Sequence, residues 1–263
     1  MDLQHSAYQF KTVFDVLKDL STDVNLIFTS EGLELTALDP EKVVGLRLIM
    51  SQLQSYNWNY HSDIYFGANM QHLYKMLRGV SSDHLIQMEV NPECINVLKV
   101  IIYHPTNGVH STTSLYSLDI PKEKTNLPSL SLDAAARLPT STFLRTIKDL
   151  AHGSKTVTIN AVRDVEDYKK TPLVFASKGS TYVYTTSISL NPVQEDQEGL
   201  TWGFFDKPVM VGQYVIKYLE KFSKPSLGKT MEIAWSEDKV LRIQYVGLDF
   251  GILQLVMSPI LEE

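Results

Sequence analysis

Cysteine is almost absent from this chain: Cys94 is the single one among 263 residues, so no internal disulfide can form. A lone thiol argues for a reducing compartment. Long apolar runs are missing too, and the start lacks the charged-then-apolar pattern of a signal peptide, so the chain reads as soluble and untargeted. Motifs that carry chemistry are equally scarce. There is no phosphate-cradling glycine loop, no GxSxG, no HExxH and no pair of CxxC knuckles. The seven histidines are scattered, none at metal-ligand spacing from another. An acid neighbours a base at His61 with Asp63 and at Asp83 with His84, but adjacent polar residues at strand ends are ordinarily solvated. Cys94 follows Pro92-Glu93 at a turn with no activating base in sequence, and reads as a buried or bystander thiol. No catalytic residue, metal ligand or cofactor follows from these residues.

The formal net charge is -6, which by itself counts against a nucleic-acid partner, because phosphate binding is supported by positive charge. Net charge misleads when charge is segregated. Four expected helices carry basic residues on their polar faces: Lys11 and Lys18, Lys75 and Arg78, Arg145 and Lys148, then Lys217, Lys221 and Lys224. Many of the acids fall instead in turns and loops. Lysines without interleaved aromatics or a base-reading motif suit phosphate attraction that is independent of sequence.

Internal repetition organises the chain. Val13 to Leu20 (VFDVLKDL) has a near copy in Phe143 to Leu150 (FLRTIKDL), with apolar residues at helical spacing and a shared Lys-Asp-Leu, which pairs Lys18 with Lys148. A second echo pairs Leu73-Tyr74-Lys75-Met76-Leu77 with Val215-Ile216-Lys217-Tyr218-Leu219, in the same order relative to the first. Two copies of one design, each with two helices, follow from this order.

Between the helices the period changes to two. Leu33, Leu35 and Ala37 alternate, as do Val44, Leu46, Leu48 and Met50, with turns at Ser30-Glu31-Gly32 and Asp39-Pro40-Glu41. A strand ending near Phe66 leads into a helix over Asn69 to Arg78, followed by strands at Leu85 to Val90, Ile95 to Tyr103 and through Leu115, Tyr116 and Leu118. Asp119 to Pro128 (DIPKEKTNLP) has two prolines and no period, the signature of an extended connector. In the second half, strands are expected at Leu130 to Ala136, Thr156 to Val162, Leu173 to Ser177, Thr181 to Leu190, Trp202 to Phe205, Met231 to Trp235, Val240 to Tyr245 and Gly251 to Met257. Val162 to Lys170 reads as a charged hairpin tip and Asn191 to Gly199 as an acidic loop. The spacing of Val211, Tyr214, Val215, Tyr218, Leu219 and Phe222 predicts a fourth helix over Val211 to Phe222. The fold class is α+β: two duplicated domains of antiparallel sheets with two helices each, at residues 1–118 and 129–263, joined by a connector at 119–128.

These residues resemble the sliding clamps of the proliferating cell nuclear antigen family over essentially the whole length. The match is carried by Leu17-Lys18-Asp19-Leu20, Gly32-Leu33 through Ala37-Leu38-Asp39 with Val43, and Gly67 through Met76-Leu77. It continues in Ile147-Lys148-Asp149-Leu150, Tyr218-Leu219 with Phe222, and Met257-Ser258-Pro259. The resemblance implies the DNA clamp fold, a ring of three identical subunits, and helices lining a hole around double-stranded DNA. Helices pack about 8 to 10 Å apart, so four cannot encircle a duplex, whereas twelve on a circle span roughly 35 Å. The nine basic residues above would face the DNA. Such a clamp would tether DNA polymerase and other replication or repair proteins, conferring processivity without chemistry of its own, and would be served by a clamp loader.

The resemblance further implies a partner groove at Leu38, Val43, Leu127, Pro128, Val256, Met257, Ser258 and Pro259, which takes a short peptide with hydrophobic anchors. Subunits would join by pairing the edge strand around Leu115 and Tyr116 with that around Tyr182 and Tyr184 of the next chain, removing two exposed edges. Cellular clamps carry an aliphatic residue and glycine before the connector's Ile-Pro, where this chain has Thr125-Asn126-Leu127-Pro128, and an aromatic pair where it has Leu255-Val256. These departures imply a divergent member of cellular or viral source, acting inside the cell: in a eukaryotic nucleus, or at a viral replication site. Two alternatives remain at this point: a clamp-like processivity subunit acting as monomer, dimer or member of a mixed ring, and a small-ligand enzyme on a duplicated scaffold.

Overall fold

The computed structural model describes residues 2–3, 7–51, 56–91, 93–122, 127, 130–162, 171–190, 202–205, 209–224, 226–236 and 238–260. The expected tip at Val162 to Lys170 and the acidic loop at Asn191 to Gly199 lie outside them, apart from Val162. Two compact units are present: Met1–Leu127 with Leu248–Leu253, and Pro128–Gly247 with Gln254–Glu263.

The first unit runs β1 (Asp2–Leu3), α1 (Ala7–Leu17), β2 (Asp23–Thr29), β3 (Gly32–Leu38), β4 (Val44–Met50), β5 (Ile64–Asn69), α2 (Met70–Leu77), β6 (Leu85–Asn91), β7 (Cys94–His104) and β8 (Val109–Tyr116). Its strands pair as β1-β6-β7-β8 and as β4-β3-β2-β5. Helix α1 packs on α2 and buries Phe10, Val13, Phe14 and Leu17, each side chain contributing about 2 to 3 kcal/mol by leaving water. Asn69 caps α2 by accepting the His72 amide at 3.0 Å, while its own amide donates to Asp23 at 2.7 Å. The helix ends at Leu77 with Arg78 as its cap, within a residue of the span expected from sequence.

The second unit runs β9 (Leu132–Pro139), α3 (Thr140–Ala151), β10 (Thr156–Val162), β11 (Thr171–Lys178), β12 (Val183–Leu190), β13 (Trp202–Phe205), β14 (Val209–Val215), α4 (Ile216–Phe222), β15 (Thr230–Ser236) and β16 (Leu241–Val246), and β17 (Gly251–Met257) belongs to it from Gln254 onward. Here β12-β11-β10-β14 pair in one row and β13-β9-β15-β16-β17 in the other. Apart from β13, which pairs with the far edge of β9, the two units have the same strand order, and the duplication is visible in topology. Phe143, Phe175, Phe222 and Trp235 fill the core beneath α3 and α4.

Two expectations about the helices need correction. Val211–Val215 is strand, not the start of the fourth helix: Val209 to Val215 pair residue by residue with Val162 to Thr156 of β10, and α4 begins at Ile216. Val211, Tyr214 and Val215 are β-branched or aromatic and suit a strand as readily as a helix, so cross-strand pairing decided the outcome. The register of the repeat also differs from the two echoes. The Met70 amide donates to the Thr22 carbonyl at 2.8 Å, and the Ile216 amide to the Lys155 carbonyl at 2.9 Å, at the same strand-to-helix junction of each unit. That junction sets Leu73 against Leu219 and Lys75 against Lys221. Likewise the buried Ala7, Phe10, Val13, Phe14 and Leu17 of α1 match Thr140, Phe143, Thr146, Ile147 and Leu150 of α3, which sets Lys148 against Asp15 rather than Lys18. An amphipathic helix resembles itself after one turn, so its apolar spacing cannot distinguish registers three or four residues apart.

Candidate DNA-facing and partner-binding surfaces

The nine basic residues divide into two groups. Lys75, Arg78, Arg145, Lys148 and Lys217 are exposed, whereas Lys11, Lys18, Lys221 and Lys224 are half-buried. The Lys11 ammonium donates to the Val80 carbonyl at 3.1 Å and stitches α1 to the segment after α2. Lys18 lies in the turn beyond α1, 2.9 Å from the Asp15 carboxylate and 3.4 Å from that of Asp19, and rests over the Tyr74 ring at 4.6 Å. Partial burial pulls the Lys18 ammonium down, but the Asp15 bond and charge, together with Asp19, outweigh it and raise its pKa. A lysine tied to two carboxylates offers a phosphate less attraction than an exposed one. The spacing that marked Lys11 and Lys18 as surface charges did not reveal these ties.

The partner residues of the first unit converge on a turn. Leu38 ends β3 and Val43 precedes β4; the Asp39 carboxylate accepts the Val44 amide at 2.7 Å, and Lys42 adopts a left-handed φ of 56°. The half-buried Leu127 lies across Gly45: a β-carbon there would strike the Leu127 methyl and come within 3.1 Å of Leu38. Leu38, Gly45 and Leu127 thus make one apolar patch. Sequence reasoning passed over Gly45, although a glycine inside a strand marks close approach by another group. The start of the connector is held as well. The Leu118 amide donates to the Gly67 carbonyl at 2.8 Å, the Ser117 hydroxyl accepts the Gly67 amide at 3.0 Å, and the Asn25 amide donates to the Pro121 carbonyl at 2.8 Å. Pro128 lies outside the described residues.

In the second unit, Val256 and Met257 are buried in β17, Ser258 is exposed and Pro259 is half-buried. The Ile260 amide donates to the Gln213 carbonyl at 2.8 Å and anchors the tail to β14. Met257 lies on the core side of β17. Only 1% of it is exposed, and successive residues of a strand point to opposite faces, so it belongs to the core.

Strands β8 and β12 each end a sheet among the described residues. Leu115 is half-buried, but Tyr116 is 76% exposed; Tyr182 and Tyr184 are exposed too, with Tyr182 in the turn before β12 rather than in the strand. Val109 on β8 and Val183 on β12, exposed apolar residues not singled out from sequence, lie on the same two edges.

The model of the proliferating cell nuclear antigen, N-terminal domain, matches residues 2–124, and that of the C-terminal domain matches residues 126–260. The chain belongs to the proliferating cell nuclear antigen family of sliding clamps. This is a family of clamps rather than enzymes, associated with DNA replication and processivity, with DNA and clamp-binding proteins as its general partners.

The residues that an enzyme reading would have used are placed accordingly. Asp83 is exposed, and hydrogen bonds from the Ser81 hydroxyl and the backbone hold its carboxyl below the usual carboxylate range, while His84 lies 4.0 Å away with its Nδ1 accepting the Ser81 amide at 3.3 Å. This is a solvated turn. The tertiary fold does bring His84 against His104, at 4.1 Å between ring centroids, a pairing that 20 residues of separation hid in the sequence. His61 and Asp63 are exposed on the wall of an open cleft of about 620 Å³. Cys94 is exposed at the start of β7, not buried. Among the described residues no three metal-binding side chains cluster, and no helix is long and apolar enough to cross a membrane.

Proposed function

We propose that three copies of this clamp close into a ring around duplex DNA, opened by a clamp loader, and tether DNA polymerase and other replication or repair proteins to the template. The observation that carries this reading is the pair of strand edges left unpaired among the described residues: β8 and β12, of eight residues each, present Tyr116 at 76% and Val183 at 66% exposure. Exposed apolar edges invite pairing with another chain, and head-to-tail pairing of β8 with β12 covers both and closes a ring. The exposed Lys75, Arg78, Arg145, Lys148 and Lys217 support a phosphate-facing role for the helices, with contacts that exchange at little cost as the ring slides. The apolar patch of Leu38, Gly45 and Leu127 supports the docking of a peptide's hydrophobic anchors.

Light scattering on the purified protein tests the assembly. A mass of three chains is expected. A mass of one or two chains would overturn the homotrimer and favour a clamp-like subunit that acts alone, as a dimer or in a mixed ring.

A further inference from the structure

In the first unit, residues 56–60 lie outside helices and strands, with Tyr56, Trp58 and Tyr60 half-buried while Asn57 and Asn59 are exposed. The three rings make a row. Tyr56 and Trp58 are nearly parallel with centroids 6.2 Å apart, and Trp58 and Tyr60 are tilted at 5.1 Å. Both phenols are committed: Tyr60 donates to the Val90 carbonyl at 2.9 Å, and Tyr56 lies in reach of the Thr29 and Gly32 carbonyls. The row is therefore pinned at its tips, with little ordering left for binding to impose. Between it and β6 lies a slot of about 450 Å³, whose other polar lining includes Gln87, Glu89, Asn91 and Lys99. Neither the DNA-facing residues nor the partner patch line it.

We propose that this slot is a second docking site, which takes a proline-rich segment of a partner protein. Pinned aromatic faces beside side-chain amides suit a ligand that is apolar in its side chains, rich in carbonyl acceptors and poor in donors. A polyproline II segment has those properties: it has no internal hydrogen bonds, and at a rise of about 3.1 Å its alternate residues fall about 6 Å apart, close to the spacing of the rings. Asn57 and Asn59 stand beside the row with amides that can donate to its carbonyls. A pairing strand fits less well, because it would compete with the Tyr60 hydroxyl for the Val90 carbonyl. Charge favours a basic residue next to the prolines. Glu89 is exposed in the lining and is the carboxylate there that a basic residue would meet, while burial and the charge of Asp63, on the wall of the neighbouring cleft, push the Tyr56 phenol up to about 12. Among the described residues of the lining, Lys99, opposite Glu89 in the ladder, is the one cation.

The site is independent of ring assembly and is tested on the purified full chain by calorimetric titration. The probes are a proline-rich peptide of about ten residues ending in arginine, the same peptide without the arginine, and a control with alanine for every proline. Saturable binding is expected for the proline peptides alone. Trp58→Ala should weaken it at least about tenfold, as expected for an aromatic anchor, and Glu89→Gln should weaken only the arginine-bearing peptide, about threefold. Should Trp58→Ala lose the native circular dichroism, the exposed pair Asn57→Ala with Asn59→Ala decides instead, with an expected loss of about fivefold. Leu127→Asp should leave binding unchanged. No saturable binding at millimolar peptide, equal binding of the alanine control, undiminished affinity in the deciding variant, or loss of binding in Leu127→Asp would each overturn the proposal.

Discussion

The hydroxyl of Tyr182 stands where a β-carbon on Gly153 would stand. The same ring lies against Gly179, whose added β-carbon would come within 2.9 Å of it, and the Gly179 amide donates to the Tyr182 carbonyl at 2.9 Å. The turn after α3 and the turn before β12 thus seat a tyrosine that remains 46% exposed beside a sheet edge. Gly153→Ala should displace the flexible end of that side chain rather than backbone, changing stability by less than about 1 kcal/mol. Oligomer mass should fall at micromolar concentration in both Gly153→Ala and Tyr182→Ala while circular dichroism stays native. Unchanged mass in both would remove Tyr182 from the subunit contact.

The lysines should separate by their surroundings. Replacing Arg145, Lys148 and Lys217 by alanine should flatten the dependence of log K on log salt for duplex DNA, by about 0.9 for each phosphate no longer neutralised. Replacing Lys11 and Lys18 should leave that slope nearly unchanged and lower the melting temperature slightly instead, since their charges serve Val80, Asp15 and Asp19. Fluorescence anisotropy across a salt series distinguishes the two sets, and equal slopes for both would defeat the division.

At the partner patch, Leu127→Asp puts a charge where a peptide's apolar anchor should be buried, weakening binding by about 2 kcal/mol, or roughly thirtyfold. Gly45→Ala acts from below, by pushing the Leu127 side chain off its seat. Titration of a clamp-binding peptide from a polymerase of the same source should show weaker binding in both variants. Wild-type affinity in both would move the site away from the connector.

Tyr245 holds the exit of α4. Its hydroxyl donates to the Phe222 carbonyl and accepts the Lys224 amide, and burial pushes its pKa up. Tyr245→Phe leaves both backbone groups without that partner at a cost of about 1 to 3 kcal/mol, measurable by urea denaturation. Because the folded pKa is raised, the phenol's contribution is full below its unfolded value of about 10 and is lost as pH rises through the folded value. The stability gap between wild type and Tyr245→Phe should therefore be constant from neutral pH to about 9 and narrow in stronger alkali. A gap independent of pH would show that folding does not raise the phenol's pKa, and no gap at neutral pH would show that these two backbone groups find other partners.

Much of the architecture was legible in the sequence, for reasons that differ between elements. Strands β10, β13 and β17 occupy the spans expected from alternation, and α2 is flanked by Asn69 and Arg78 as its capping chemistry implies. The expected fourth helix starts too early because Val211, Tyr214 and Val215 keep helical spacing, while their β-branched and aromatic side chains suit a strand as readily and the strand alternation of Gly212, Tyr214 and Ile216 includes a glycine that carries no apolar signal. Strand β14 forms because β10 offers it seven partners, information held in another part of the chain.

By itself the sequence determined the class, the presence of two repeats, the order of the four helices and the family, since these rest on composition, local periodicity and the order of short motifs along the chain. Tertiary structure alone decided the register of the repeats, the internal contacts of Lys11 and Lys18, the seating of Leu127 on Gly45 and the burial of Met257. Each of these depends on which residues, distant in sequence, come to lie within a few ångströms, and an amphipathic pattern fixes the face a residue occupies but not the neighbour it meets there.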